Sequence, residues 1–197
     1  MEEKIKQEME RIKKIKGEAR GAVLKPEFEY ILEHEGEEGL KKLESFLEEM
    51  GFPLKYEEIN SMKFYPLKNK AAIFVAISEL FGYGKEEFRV MGREAARFPV
   101  LVRRLMMLMP ADKLVKEGNK VWQRYFTAGK TELVKFNREE REEVLRLREF
   151  DVHPLECEFL VGYFAVLLQL LVKKDVECEE TKCTFRGDEY HEFVLNW

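Results

Sequence analysis

The residues in this chain whose types and spacing could do chemistry gather at its C-terminal end: Cys157, Glu180, Cys183 and His191. After Lys174 the pattern turns extended, with a turn at Arg186-Gly187-Asp188 and a second strand predicted over Tyr190–Asn196. If that hairpin is centred on Gly187, Cys183 faces His191 and Phe185 faces Glu189, because both pairs are symmetric about the same residue. Directly opposed side chains hold their Cβ atoms about 4.5–5.5 Å apart, near enough to share one metal ion. Glu180 stands three residues before Cys183, so an ideal strand would set the two on opposite faces. A bulge or kink at Thr181-Lys182 is required for both to bind. Cys157, in the first turn of a buried helix, would be the fourth donor. Two thiolates, an imidazole and a carboxylate suit tetrahedral zinc, and a site with no open position is structural rather than catalytic. Plainer readings stand beside this one: His191 as an exposed strand residue, Glu180 as a solvated one, and the cysteines as small buried hydrophobes, the role expected of Cys178. Three cysteines and no secretory signal argue for a reducing compartment and against a Cys178–Cys183 disulfide.

The element that must carry Cys157 is a helix over Leu155–Val172, apolar on nearly every face, as in a helix covered on all sides. At about 1.5 Å rise per residue it is too short, and too closely flanked by charge, to span a bilayer comfortably.

The pattern Cys-x4-Gly in that helix (Cys157, Gly162), Glu-x-x-Cys (Glu180, Cys183), a Gly187-Asp188 turn, His191 eight residues beyond Cys183, and a closing Phe193 and Trp197 resembles the 4-vinyl reductase domain family. These are small-molecule-binding domains, among them sensor domains of aromatic-responsive transcription activators, similar in fold to the haem NO-binding and TRAPP trafficking families. The resemblance covers about the last quarter of the chain, with a weaker similarity of helix order back to about Gly21. In metal-containing members the ligands are Cys, Glu, Cys and Cys. The resemblance thus implies Cys157, Glu180 and Cys183 as ligands, with His191 in place of the last Cys. That exchange keeps a competent zinc ligand and loses one negative charge. The implied fold is α+β, an antiparallel sheet of about four strands packed with a helical layer. Residues 1–17 form an appended amphipathic helix, and residues 18–197 a single ligand-binding domain.

Upstream, Ile5, Met9, Ile12 and Ile15 make a narrow apolar stripe on a charged helix that Gly17 ends. It can lie along its own domain or pair with a second copy as a short coiled coil. A short connection or strand over Glu18–Lys25 leads to Pro26, which suits the first position of a helix through Glu33. Gly36 separates it from a helix over Glu37–Met50. Phe64-Tyr65-Pro66 precedes an apolar helix ending at Phe81, closed by Gly82. A further helical run from Lys85 is interrupted at Pro99. Beyond it Met106, Trp122 and Phe126 are candidates to line an adaptable apolar pocket. The same residue types also fill ordinary cores. Thr131–Phe136 reads as a strand. Arg138–Phe150 is ambiguous by itself, and the resemblance places a strand from about Glu142.

His34 or His153 could in principle bind haem iron, since the related NO-sensing family binds haem through a His. That family also carries a Tyr-x-Ser-x-Arg signature, which this chain lacks. No haem is therefore expected. Nothing resembles a phosphate loop, a paired nucleophile and base, or a nicotinamide or flavin fingerprint. Lys and Arg number 34 against 38 Asp and Glu, spread evenly for a net charge of −4, which does not suggest a nucleic-acid groove. The charged Met1–Lys16 stretch is neither a signal nor an anchor, so a soluble cytoplasmic protein is expected. The expected function is a zinc-stabilised sensor-type domain. It would hold a hydrophobic small molecule or lipid and signal through association, as a homodimer or with a partner protein. The alternatives are a tetrapyrrole vinyl reductase, after which the family is named, and a TRAPP-like scaffold.

Overall fold

Glycines in left-handed backbone punctuate the chain where the sequence places helix ends. In the computed structural model, which describes residues 2–96 and 117–197, Gly17, Gly36, Gly51, Gly82 and Gly187 all have positive φ. The described residues form two compact units: Met1–Gly84 with Tyr125–Ala128, and Lys85–Arg124 with Gly129–Trp197.

In the N-terminal unit, helix α1 (Glu2–Ile12) buries Met9 and Ile12. Strand β1 (Glu18–Arg20) leads into α2 (Lys25–Glu49), which breaks at Gly36, φ 70°, into the two helices the sequence suggests. Strand β2 (Phe64–Pro66) pairs antiparallel with β1, and α3 (Lys68–Phe81) ends on left-handed Gly82. Leu24, Phe28, Ile31, Leu43, Ile73, Phe74 and Ile77 form the core. One ion pair is buried in it: Lys70 Nζ binds Glu27 Oε1 and donates to the Val23 carbonyl at 3.0 Å. Burial raises the Glu27 pKa more than the Lys70 charge lowers it.

In the C-terminal unit, α4 (Lys85–Ala95) crosses α6 (Pro154–Val172), with α5 (Gly118–Tyr125) preceding the sheet. The sheet is wholly antiparallel, with spatial order β3-β4-β6-β5, from β3 (Lys130–Asn137), β4 (Glu142–Arg148), β5 (Glu177–Lys182) and β6 (His191–Asn196). Leu147 opposes His191, Leu145 opposes Phe193 and Glu143 opposes Leu195, so these six share one face. Phe164 of α6 meets Phe193 edge-on at 5.1 Å between ring centroids. By length and composition α6 could cross a membrane; here it packs against α4 and the sheet. An α+β fold with a four-stranded antiparallel sheet is thus what the chain adopts. The predicted break at Pro99 and pocket residue Met106 lie outside the described residues.

Candidate metal centre

The start of α6 sets the first donor. Its helix begins at Pro154, and His153 caps it by accepting the Leu155 N–H on Nδ1 at 3.2 Å. This puts Cys157 in the first turn, facing the sheet and 5 % exposed. The other donors come from the hairpin. β5 pairs with β6 as Glu177↔Asn196 through Glu180↔Phe193, then as Lys182↔Glu192 after a one-residue shift. Thr181 is the extra residue, so the required bulge lies where the sequence demanded it. Glu180 follows the face of Phe193, and the register beyond the bulge brings Cys183 toward His191.

The hairpin's tip differs from the sequence expectation. Thr184–Arg186 form a 3₁₀ turn, so Phe185 does not face Glu189 as a strand pair. Its ring centroid lies instead 5.9 Å from that of His191. The reason is local hydrogen bonding around Cys183. Its carbonyl accepts from Arg186 N at 2.9 Å and Asp188 N at 3.2 Å, and its N–H donates to Asp188 Oδ2 at 2.8 Å. Gly187, φ 96°, supplies the left-handed residue that closes the turn.

Cys157, Glu180, Cys183 and His191 each offer one ligand atom, and these atoms all lie within 4.8 Å of one another. The two sulfurs are 3.8 Å apart, and Cys157 Sγ is 3.6 Å from His191 Nδ1. Zinc–sulfur bonds of about 2.3 Å at tetrahedral angles place two sulfurs about 3.8 Å apart. The thiol spacing therefore fits such an ion without adjustment. Glu180 Oε1 is 2.9 Å from His191 Nδ1, a hydrogen-bond distance, so an ion between them would part them slightly. Arg186 steadies the carboxylate, with Nη2 donating to the Glu180 carbonyl at 2.9 Å and lying 3.8 Å from Oε2. Burial, then the Glu180 charge, pushes the Cys157 and Cys183 thiols up. A dication among these four groups would offset both causes by stabilising the thiolates.

The other sequence candidates are dispersed. Trp122 is buried in the C-terminal unit, edge-on to Phe150 at 4.9 Å between centroids, and Phe126 is buried in the N-terminal unit, bridged to Ala19. His34 is exposed and stacks on Tyr30. Cys178 is half-buried opposite Leu195, its thiol pushed up to about 12 by burial and by Glu143. Sequence reasoning missed Thr184 and Asp151, which border His191 on the side away from the cysteines. A hydroxyl directly after a candidate ligand was the signal available for the first; nothing local marked the second.

The segment that holds all four donors is the one a known family recognises. Residues 152–196 match the 4-vinyl reductase domain. Fifty-one solved chains share the fold more broadly. An H-NOX protein from S. oneidensis in the Fe(II)NO state aligns at TM-score 0.63 and 13% identity, covering 90% of this chain and 98% of that one. A protein described as modulating heme redox potential through porphyrin distortion aligns at 0.61 and 12%, covering 90% and 99%. The phenol-responsive sensory domain of the transcription activator PoxR, with phenol, aligns at 0.54 and 13%, covering 79% and 88%. No curated protein matches by sequence. At these identities the likeness establishes a sensor-domain fold. It also corrects the expectation of no haem. The chain shares its architecture with haem-containing H-NOX proteins at identities too low for a short signature to be retained or lost informatively, so the missing Tyr-x-Ser-x-Arg motif excludes nothing.

Proposed function

We propose that this chain is a sensor-type domain that binds a hydrophobic small molecule or lipid chain, is braced by one zinc ion, and signals by association with a second copy or a partner protein. The observation that carries the metal is the convergence of Cys157, Glu180, Cys183 and His191 within the segment that matches the 4-vinyl reductase domain. Zinc suits a closed set of two sulfurs, one nitrogen and one oxygen, and has no geometric preference that the protein must oppose. The ion would join the first turn of α6 to the tip of the β5–β6 hairpin and supply folding energy there. The small-molecule role draws its support from the fold shared with the phenol-responsive sensory domain. A rigid metal joint beside a ligand-binding helical layer lets ligand occupancy bias one arrangement of the helices, which a second chain could read.

The H-NOX likeness favours a second reading, in which the bound small molecule is haem. Metal analysis of the purified chain, with its absorbance spectrum and an extraction of bound small molecules, tests both. About one zinc per chain and a colourless protein support the zinc-braced sensor for an organic ligand. A Soret band stoichiometric with the chain supports haem as the ligand. Absence of zinc from protein prepared without chelators, and from protein offered zinc, overturns the metal centre.

A further inference from the structure

His191 is built with its two ring nitrogens in opposite surroundings. Nδ1 faces the cluster, 3.6 Å from Cys157 Sγ and 2.9 Å from Glu180 Oε1. Nε2 faces away, 3.0 Å from Thr184 Oγ1 and 3.8 Å from Asp151 Oδ1. A neutral imidazole binds a cation through the nitrogen that lacks the proton, so the hydrogen bond made by the other nitrogen selects the ligating atom. We propose that Thr184, backed by Asp151, is the positioning residue that makes His191 an Nδ1 ligand. This inference rests on the metal reading above.

The placement of the two residues carries the argument. Thr184 follows Cys183 directly and opens the 3₁₀ turn. The turn that delivers one thiolate therefore also delivers the hydroxyl that accepts the Nε2 proton. Asp151 lies just before α6, the helix that delivers Cys157, so the second ligand-bearing segment approaches the same edge of the ring. The imidazole is 2 % exposed, which leaves little access for water to replace either partner. A histidine needs such partners because its lone pair lies in the ring plane along one direction. A ring turned end for end would present the wrong nitrogen to the ion.

Cobalt(II) titration of the metal-free full chain, followed by thiolate-to-cobalt charge transfer and then zinc competition, tests this. Thr184→Val removes the acceptor at nearly constant shape and is expected to weaken zinc binding about 10- to 100-fold. Thr184→Ser restores affinity to within about threefold. Asp151→Asn weakens it less than Thr184→Val, since that carboxylate is mostly exposed and farther away. Nitrogen-15 NMR of the zinc-loaded, unsubstituted chain is expected to find the His191 proton on Nε2. That readout survives even if Thr184→Val fails to fold. A proton on Nδ1 in the zinc-loaded chain, or Thr184→Val binding as tightly as the unsubstituted chain, overturns the proposal and leaves the metal centre standing. No charge-transfer band in the unsubstituted chain overturns the metal centre and this inference together.

Discussion

Glu143 sits on the core face of β4, opposite Leu195, 7 % exposed, and its Oε2 has no hydrogen-bond partner among the described residues. Burial raises its pKa from 4.5 to about 7. Between those values the folded chain holds more protons than the unfolded chain, so stability falls as pH rises through that window and levels above it. The loss is at most about 3 kcal/mol. Glu143→Gln is expected to flatten this slope and to make the protein more stable than the unsubstituted chain at pH 8. Urea unfolding at pH 5 and pH 8 measures it; parallel pH dependence in the two proteins would show that Glu143 is not the titrating group. The contrast with Glu180 is instructive, since that carboxylate shares its site with an imidazole and a guanidinium. Two acidic residues on one sheet face thus have different surroundings, one apolar and one built for charge.

Between elements, the decisive contact is the crossing of α4 on α6. A Cβ added at Gly162 would overlap the Arg89 carbonyl, and one at Gly92 would overlap that of Phe159. Two glycines therefore let the helix backbones touch. Across the same crossing Glu158 accepts Arg89 Nε at 2.7 Å and pairs with Lys85 at 3.2 Å. Gly162→Ala gains helix propensity of about 1 kcal/mol but must part the helices. A net destabilisation on the order of 2 kcal/mol is expected, as a lowered melting temperature with unchanged helix content. An unchanged or raised melting temperature would show that the crossing relaxes freely. Gly162 is legible in the sequence as part of the Cys-x4-Gly spacing. Its reason, the backbone of α4, lies about 70 residues away and leaves no local trace.

At the scale of the whole molecule, the candidate ligands all lie in the C-terminal unit, and the buried Lys70–Glu27 pair lies in the N-terminal one. Stripping zinc with a chelator is expected to speed amide exchange in α6, β5 and β6 by tenfold or more and leave α2 and α3 nearly unchanged. Cys183→Ala should reproduce that pattern without chelator. Hydrogen exchange read by mass spectrometry checks both. Uniform loss of protection would mean that the two units unfold as one, and no change at all would remove the metal from the stability account.

Much of the fold was written in short-range pattern. Apolar residues on every side of Leu155–Val172, glycines at helix ends and the Arg186-Gly187-Asp188 turn are local signals, and the structure forms α6, the breaks at Gly36 and Gly82, and the β5–β6 hairpin accordingly. The bulge at Thr181 was also legible, because strand alternation forbids Glu180 and Cys183 from sharing a face without one. Tertiary structure alone decided the rest. It paired β1 with β2 across more than 40 residues, turned the Nδ1 edge of His191 inward, and brought Asp151 to the other edge. Residue types and spacing determine which donors can meet, since those follow from helix and strand periodicity. How each donor is aimed depends on neighbours distant in sequence, and only the folded chain brings them together.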